Sequence, residues 1–367
     1  MKHTSEKLKD CICLAPFQDF MVLHNSTNVC CPEWFDLEQL QKEYPEKFEG
    51  HGGRAFPGSV SLIDEDKNLL NNWNNDFHKD LRESILDGDY RFCTKMCPHI
   101  NEVYRTNKSA GSIQERKLVE QWKVNLKNPF PKRIYFNFDK ACNLKCPSCR
   151  VELITNRANT SAEMTLESID KQFGSTVQHI IITGSGDPFY STIFRNWLQN
   201  FHISKYPKLQ SIFLVSNGNM FTPKMWESVS NTHYLTKGME WSIDAGTKDT
   251  YENITRLNGK WDKLMVNMDY LASLNHFENL LFSFVVQKEN FTEMQTFVDL
   301  IEDKFKNSKS KATVLFRAIQ DWRHQSTSWF KDKNICDPNH EDHSLLLKEL
   351  PAVLDHKIVN SNLAHLL

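Results

Sequence analysis

The sequence has no long hydrophobic run and no excess of charge of one sign. Its longest apolar stretches, HIIIT and LLFSFVV, are much shorter than the about 20 residues that a helix needs to cross a bilayer. The 44 lysines and arginines nearly balance the 46 aspartates and glutamates, so the formal net charge is only −2. We therefore expect neither a membrane nor a nucleic acid as the principal partner. The first residues, MKHTSEKLKDC, have no apolar stretch typical of a secretory signal, and we expect a cytoplasmic protein.

Cysteine is abundant, with 10 residues in 367. Because disulfides are rare in reducing compartments, these cysteines indicate metal or redox chemistry. Their uneven distribution along the chain would be explained by two separate metal sites. The groups are Cys11, Cys13, Cys30, Cys31, Cys93 and Cys97, then Cys142, Cys146 and Cys149, and finally Cys336 alone.

From residue 133 onward, short β-rich runs alternate with helical patterns, as is typical of a parallel α/β domain. Six β/α units of this size favour a partial (β/α)6 barrel, open on one side, over the closed form with eight units. In such a barrel the active site lies at the carboxyl ends of the strands. The predicted strands are 133–138, 179–183, 211–215, 239–243, 280–286 and 312–318.

The first part of the chain has polar loops and few periodic apolar segments. This pattern predicts a separate small module over residues 1–125. The proline-containing segment 121–133 is a plausible junction, so we expect the barrel over 126–330 and a helical extension over 331–367.

The segment ACNLKCPSCR has Cys142, Cys146 and Cys149 in the spacing C-x3-C-x2-C, directly after the first predicted strand. Three thiolates on a [4Fe–4S] cluster would leave one iron open to a small molecule. A zinc site completed by a distant histidine or cysteine is an alternative, as are clustered surface thiols. The spacing and position resemble the radical S-adenosylmethionine (SAM) superfamily. The resemblance implies that the three cysteines are catalytic cluster ligands, and that the open iron binds SAM and cleaves it to a 5′-deoxyadenosyl radical, which abstracts a substrate hydrogen.

Segments after the next three predicted strands resemble the SAM-binding motifs of the same superfamily. SGDP resembles the glycine-glycine-glutamate motif that holds the SAM amino group, although Asp187 replaces the commoner glutamate. SNG and SIDAG are also ordinary loop sequences, and Arg256 is also interpretable as a solvated helix residue. Ser148 stands where many members have an aromatic residue near adenine, so Asn143, Phe138 or 318–322 would contact adenine instead. The residues that the resemblance implies for SAM binding are Ser185, Gly186, Asp187, Pro188, Asn217, Ser242, Asp244 and Arg256.

The amino-terminal cysteines resemble the auxiliary iron–sulfur modules called SPASM and twitch domains, which usually follow a radical SAM barrel but here precede it. A cysteine near Pro-Phe, a Cys-Cys pair and a late cysteine pair carry the resemblance. It implies an auxiliary [4Fe–4S] cluster, with Cys30 as an alternative to Cys31, and a zinc site remains open as well. The implied ligands are Cys13, Cys31, Cys93 and Cys97.

Together, these motifs predict an oxidoreductase-type radical SAM enzyme that modifies a peptide, a sugar or a small molecule. Flavodoxin or ferredoxin is the implied electron donor. The alternative is a non-catalytic iron–sulfur or zinc protein that transfers electrons or serves as a scaffold. A further alternative is epimerisation, in which Cys336 would return a hydrogen atom, but a lone cysteine is more often a buried inert thiol.

Overall fold

The computed structural model describes residues 12–48, 60–94, 97, 100, 122, 130–155, 158–182, 185–322 and 324–367. Two compact units are present. The first comprises Met1–Phe138, Asn159–Ile181 and His202–Gln210, and the second comprises Asp139–Ala158, Ile182–Phe201 and Ser211–Leu367. Over the described ranges, no helix combines the length and the apolar character that a membrane span requires.

In the first unit, strand β1 (Asp19–Leu23) pairs antiparallel with β2 (Thr27–Asn28) and parallel with β3 (Arg133–Asn137). Asparagine side chains cap three of the helices by accepting a backbone N–H in the first turn. The helices are α1 (Ala15–Gln18), α2 (Leu37–Glu43), α3 (Leu69–Trp73), α4 (Asp76–Leu86) and α5 (Thr160–Phe173).

Aromatic side chains fill much of the core of the first unit. Phe20 lies edge-on to Trp73, with 5.3 Å between ring centroids, and Phe77 lies edge-on to Phe92 at 5.6 Å. Such pairs contribute about 0.5–1.5 kcal/mol each beyond the burial of their area. Aromatic packing thus stabilises a unit whose helices are mostly short.

The second unit is a β/α structure with its strands in chain order. Strand β4 (His179–Ile182) lies in the first unit except for its last residue. In the second unit, strands β5 (Ser211–Ser216), β6 (Gly238–Ser242), β7 (Asn279–Val286), β8 (Lys311–Ala318) and β9 (Val359–Ser361) follow, and each strand is parallel to the next. The helices are α6 (Thr192–Gln199), α7 (Pro223–Ser228), α8 (Lys248–Thr250), α9 (Trp261–Ser273), α10 (Met294–Phe305), α11 (Thr327–Lys333) and α12 (His343–Leu354).

Successive side chains of a strand point to opposite faces of the sheet, and this alternation explains how the second unit packs. In β7, Phe282 and Phe284 are fully buried, and Phe284 lies 5.1 Å from the ring of Phe297 in α10. The other members of the apolar stripe of α10, among them Val298 and Ile301, are also fully buried. The helical spacing seen in the sequence therefore corresponds to the packed face of α10.

All six predicted strands are present, with ends that differ by at most one residue from those expected. The predicted α/β class, with successive parallel strands and helices between them, is confirmed. In the amino-terminal part, β1 and β2 form an antiparallel pair. The sequence did not predict β9, whose three residues pair with β8.

Candidate active site at the cysteine loop

The cysteine loop, residues 139–150, follows β3 and is held by backbone hydrogen bonds within the second unit. The N–H of Cys142 donates to the carbonyl of Ile154 at 2.9 Å, and the N–H of Lys145 donates to the carbonyl of Leu257 at 2.9 Å. The Asn258 side chain donates to the carbonyl of Asn143 at 2.7 Å. The chain that follows β6 thus fixes the shape of the loop.

The three cysteines of the loop lie together. Cys142 and Cys146 are buried in one cluster with Leu144, and Cys149 packs against this cluster. Burial raises the pKa of the Cys142 thiol to about 12, and it also raises the pKa of Cys146, which the Arg256 guanidinium opposes. Metal binding at these thiols would therefore release protons.

Each of the three sulfur atoms accepts a hydrogen bond from a nitrogen donor. Arg256 Nη1 donates to Cys146 Sγ at 3.3 Å, and Arg150 Nη2 donates to Cys149 Sγ at 3.5 Å. Asn217 Nδ2 lies 3.6 Å from Cys142 Sγ, to which the Leu144 N–H also donates at 3.4 Å. Donors at all three sulfurs would offset the negative charge of thiolates bound to a cluster.

The SGDP segment lies against the cysteine loop. A Cβ on Gly186 would come within 2.5 Å of the Ala141 carbonyl oxygen and 2.7 Å of the Asp139 carbonyl oxygen, so glycine permits this approach. The Asp187 N–H donates to the same Ala141 carbonyl at 3.0 Å. Arg150 adds a second connection, since its guanidinium donates to the carbonyl of Ser185 at 2.8 Å. The preceding Thr183 and Gly184 lie outside the described residues.

Asp187 is a buried carboxylate with four donors from the protein itself. Oδ1 accepts the N–H groups of Phe189 and Tyr190 at 3.0 and 3.1 Å. Oδ2 accepts the Ser216 hydroxyl at 2.8 Å and the Asn217 N–H at 2.9 Å. Burial raises the pKa of Asp187, and these four donors lower it. The carboxylate thus joins the SGDP segment to the end of β5.

Asp244 and Arg256 form a buried ion pair, with 2.7 Å between Oδ2 and Nη2. Asp244 has φ = 58°, a left-handed conformation that aspartate tolerates better than most residues. Its Oδ1 accepts the Val285 N–H at 2.8 Å, and its carbonyl accepts the Asn290 side chain at 2.9 Å. Arg256 follows a π-helical turn, Tyr251–Thr255, and is only 8% exposed. The alternative of a solvated helix residue at Arg256 is therefore wrong.

The structure brings the three cysteines together with most of the residues that the motifs indicate. Ser242 accepts a hydrogen bond from the Ser283 hydroxyl at 3.0 Å. The sequence reasoning missed Arg150, although this residue directly follows the third cysteine, and it included Ser216 only as part of SNG without assigning it to the site. The residues brought together around the cysteine loop are Ser185, Gly186, Asp187, Asn217, Asp244 and Arg256.

The donor set suits a three-thiolate cluster, since the sulfurs are together and their charge has hydrogen-bond donors. Among the described residues, no group of three or more histidine, cysteine, aspartate or glutamate side chains has an arrangement that could hold a single metal ion.

In the first unit, a bridge between Phe35 and Cys93 brings the Cys-Cys pair near the late cysteines. The Asp36 N–H donates to the Phe92 carbonyl at 2.8 Å, and the Thr94 N–H donates to the Trp34 carbonyl at 2.8 Å. Cys11 lies outside the described residues.

The cysteine thiols of the first unit influence one another's pKa values. Burial raises the pKa of Cys13 to about 12, and Cys97 contributes to this rise. Burial also raises the pKa of Cys30 well above its usual value, with contributions from Cys93, Cys97, Cys13 and Cys31. All five described cysteines of the first unit therefore belong to one neighbourhood.

No protein-family model and no curated protein matches the chain. Two solved structures are similar to the chain at low sequence identity. SuiB of Streptococcus suis, bound to precursor peptide SuiA, is 14% identical over 71% of this chain and 59% of SuiB, with a TM-score of 0.47. TYW1 with a lysine-pyruvate adduct bound is 16% identical over 71% of this chain and 83% of TYW1, with a TM-score of 0.38.

Proposed function

We propose that this chain is a radical SAM enzyme whose Cys142, Cys146 and Cys149 hold a [4Fe–4S] cluster with one open iron. The observation that carries the proposal is that all three cysteine sulfurs accept hydrogen bonds from nitrogen donors. The guanidinium groups at two of the sulfurs would offset the negative charge of cluster-bound thiolates. When bound, the cluster and SAM would supply the one-electron chemistry that removes a hydrogen atom from a substrate.

The residues around the cysteine loop bind and orient in this proposal. Gly186 lets the SGDP backbone approach the loop, and Asp187 fixes that backbone in place for the SAM ammonium group. Arg256 binds the SAM carboxylate and Asp244 binds the ribose, and the ion pair between the two side chains keeps both in position. The remaining proposed SAM-binding residues are Ser185, Pro188, Asn217 and Ser242.

We also propose an auxiliary [4Fe–4S] cluster on Cys13, Cys31, Cys93 and Cys97, within a module over residues 1–125. The bridge between Phe35 and Cys93, which brings the Cys-Cys pair near the late cysteines, supports this proposal. Cys30 is the alternative to Cys31. The barrel over 126–330 and the extension over 331–367 complete the proposed organisation.

The proposed reaction is oxidation or another modification of a peptide, a sugar or a small molecule in the cytoplasm. Flavodoxin or ferredoxin is the proposed electron donor. An auxiliary cluster would accept an electron from the substrate radical during oxidation, or help to bind the substrate.

The test is anaerobic reconstitution with iron and sulfide, followed by measurement of iron content and of 5′-deoxyadenosine formed from SAM and a reductant. We expect the variant with Cys142, Cys146 and Cys149 all changed to alanine to lose about four irons per chain and all SAM cleavage. Cys336→Ala, which removes a buried thiol outside both groups, is the matched control and should retain both. A wild-type protein that binds iron but never cleaves SAM would favour the non-catalytic alternative.

A further inference from the structure

Arg150 is a buried cation that faces the cysteines of the loop. Its guanidinium donates hydrogen bonds to two carbonyl oxygens, those of Lys140 at 2.9 Å and Ser185 at 2.8 Å, and to Cys149 Sγ at 3.5 Å. The residue is only 7% exposed. Carbonyl oxygens accept hydrogen bonds but do not neutralise a guanidinium, so its charge has to be balanced by something else.

Arg256 differs from Arg150 in this respect. Both guanidinium groups donate to a cysteine sulfur, but Arg256 also pairs with the Asp244 carboxylate at 2.7 Å. Within the part of the chain that the structure describes, Arg150 forms no ion pair with a carboxylate. The negative groups that act on Arg150 are the thiol groups of the loop when ionised, first Cys149, then Cys142 and Cys146.

We propose that Arg150 is the counter-charge of the cluster and raises its reduction potential. This inference rests on the proposed function, because it concerns the same three cysteines. Reduction transfers one electron to the cluster from an external donor such as a reduced ferredoxin or flavodoxin, which makes the cluster more negative by one charge. A buried cation stabilises the more negative state, and a hydrogen bond to sulfur has the same effect. Arg150 itself gains no electron, loses no proton and forms no covalent bond.

Arg150 is therefore a positioning residue with an electrostatic role. Its hydrogen bonds to the carbonyls of Lys140 and Ser185 also connect the cysteine loop to the SGDP segment. The experiment therefore has to distinguish the effect of the positive charge from the effect of losing these hydrogen bonds. Arg195 provides the comparison. Its guanidinium likewise donates to two carbonyls of the segment after SGDP, those of Phe189 at 3.0 Å and Tyr190 at 3.2 Å, but among the described residues it has no hydrogen bond to a cysteine.

The experiment is a redox titration of the reconstituted full-length protein, followed by electron paramagnetic resonance. The cluster with the open iron is identified as the one whose signal changes when SAM is added. The variants are Arg150→Gln, Arg150→Lys and the control Arg195→Gln. At a fixed donor potential we expect the ratio of reduced to oxidised cluster to fall about tenfold in Arg150→Gln, which is about 59 mV for a one-electron couple. Arg150→Lys should keep the wild-type ratio to within about threefold because it keeps the charge. Arg195→Gln should leave the ratio unchanged.

A wild-type ratio in Arg150→Gln would overturn the role of Arg150, and so would an equal fall in Arg195→Gln. If Arg150→Gln assembles no cluster, Arg150→Lys decides, since a tenfold fall despite the retained charge would overturn the proposal and a near-normal ratio would support it. Failure of the proposed function looks different. In that case the wild-type protein itself assembles no cluster whose signal responds to SAM.

Discussion

Arg256 and Asp244 form an ion pair 2.7 Å long at the carboxyl end of β6, with side chains only 10% and 2% exposed. Burial raises the pKa of Asp244, and the Arg256 guanidinium is the largest influence that opposes this rise. The same guanidinium donates to Cys146 Sγ at 3.3 Å. The pair therefore connects the segment after β6 to the cysteine loop, and the charge of each buried partner is stabilised by the opposite charge of the other.

We expect Asp244→Asn to lower the free energy of unfolding by about 3 kcal/mol, because it leaves the Arg256 charge buried without its partner. Equilibrium unfolding in urea measures the change. The matched control is Asp303→Asn, which removes an ion pair with Lys306 whose side chains are 70% and 62% exposed, and which should have no measurable effect. Equal stability of the two variants would contradict a strong buried pair.

Gly186→Ala should disturb the cysteine loop, since the new methyl group would lie 2.5 Å from the Ala141 carbonyl oxygen. We expect a loss of about 1–3 kcal/mol in the free energy of unfolding from the forced backbone shift. The cluster should also retain less iron after gel filtration. Glu152→Ala, an exposed site just beyond the cysteine loop, is the control and should behave as wild type. Full iron retention in Gly186→Ala would show that the two segments can separate without consequence.

The sequence predicted the strands well because β-branched and aromatic runs are local signals, and β7 is such a run. It did not predict that β1 pairs parallel with β3, since that contact joins segments more than 100 residues apart. The same limit applies to the site. The acidic residue of SGDP was recognised, but its partners Ser216 and Asn217 come from another strand end. A solvated Arg256 stayed open as an alternative in the sequence, because nothing local reveals that this side chain contacts Asp244 and Cys146.

Removal of Cys93 should abolish the proposed auxiliary cluster and leave the cluster of the cysteine loop intact. We expect Cys93→Ala to lose about four irons per chain and to keep SAM cleavage. Among single variants of the Cys-Cys pair, Cys31→Ala should lose the same iron while Cys30→Ala retains it. The opposite result would make Cys30 the fourth ligand, in line with the closeness of its thiol to Cys93 and Cys97. Unchanged iron in Cys93→Ala would reject the auxiliary cluster.

His78 should make the stability of the protein depend on pH. Its ring Nδ1 lies 2.7 Å from the Asn72 carbonyl, and burial, assisted by the Arg82 charge, lowers the pKa of His78 to about 3. The folded protein therefore keeps His78 neutral, whereas the unfolded chain protonates it below about pH 6.5. The contribution of His78 to the free energy of unfolding is thus fully present above about pH 6.5 and decreases as the pH falls. One such proton corresponds to about 1.4 kcal/mol per pH unit. We expect the destabilisation caused by His78→Gln to shrink by about 2 kcal/mol between pH 7 and pH 5 in urea unfolding, because only the wild type has this penalty. A difference between wild type and His78→Gln that stays constant over this range would contradict a buried neutral imidazole.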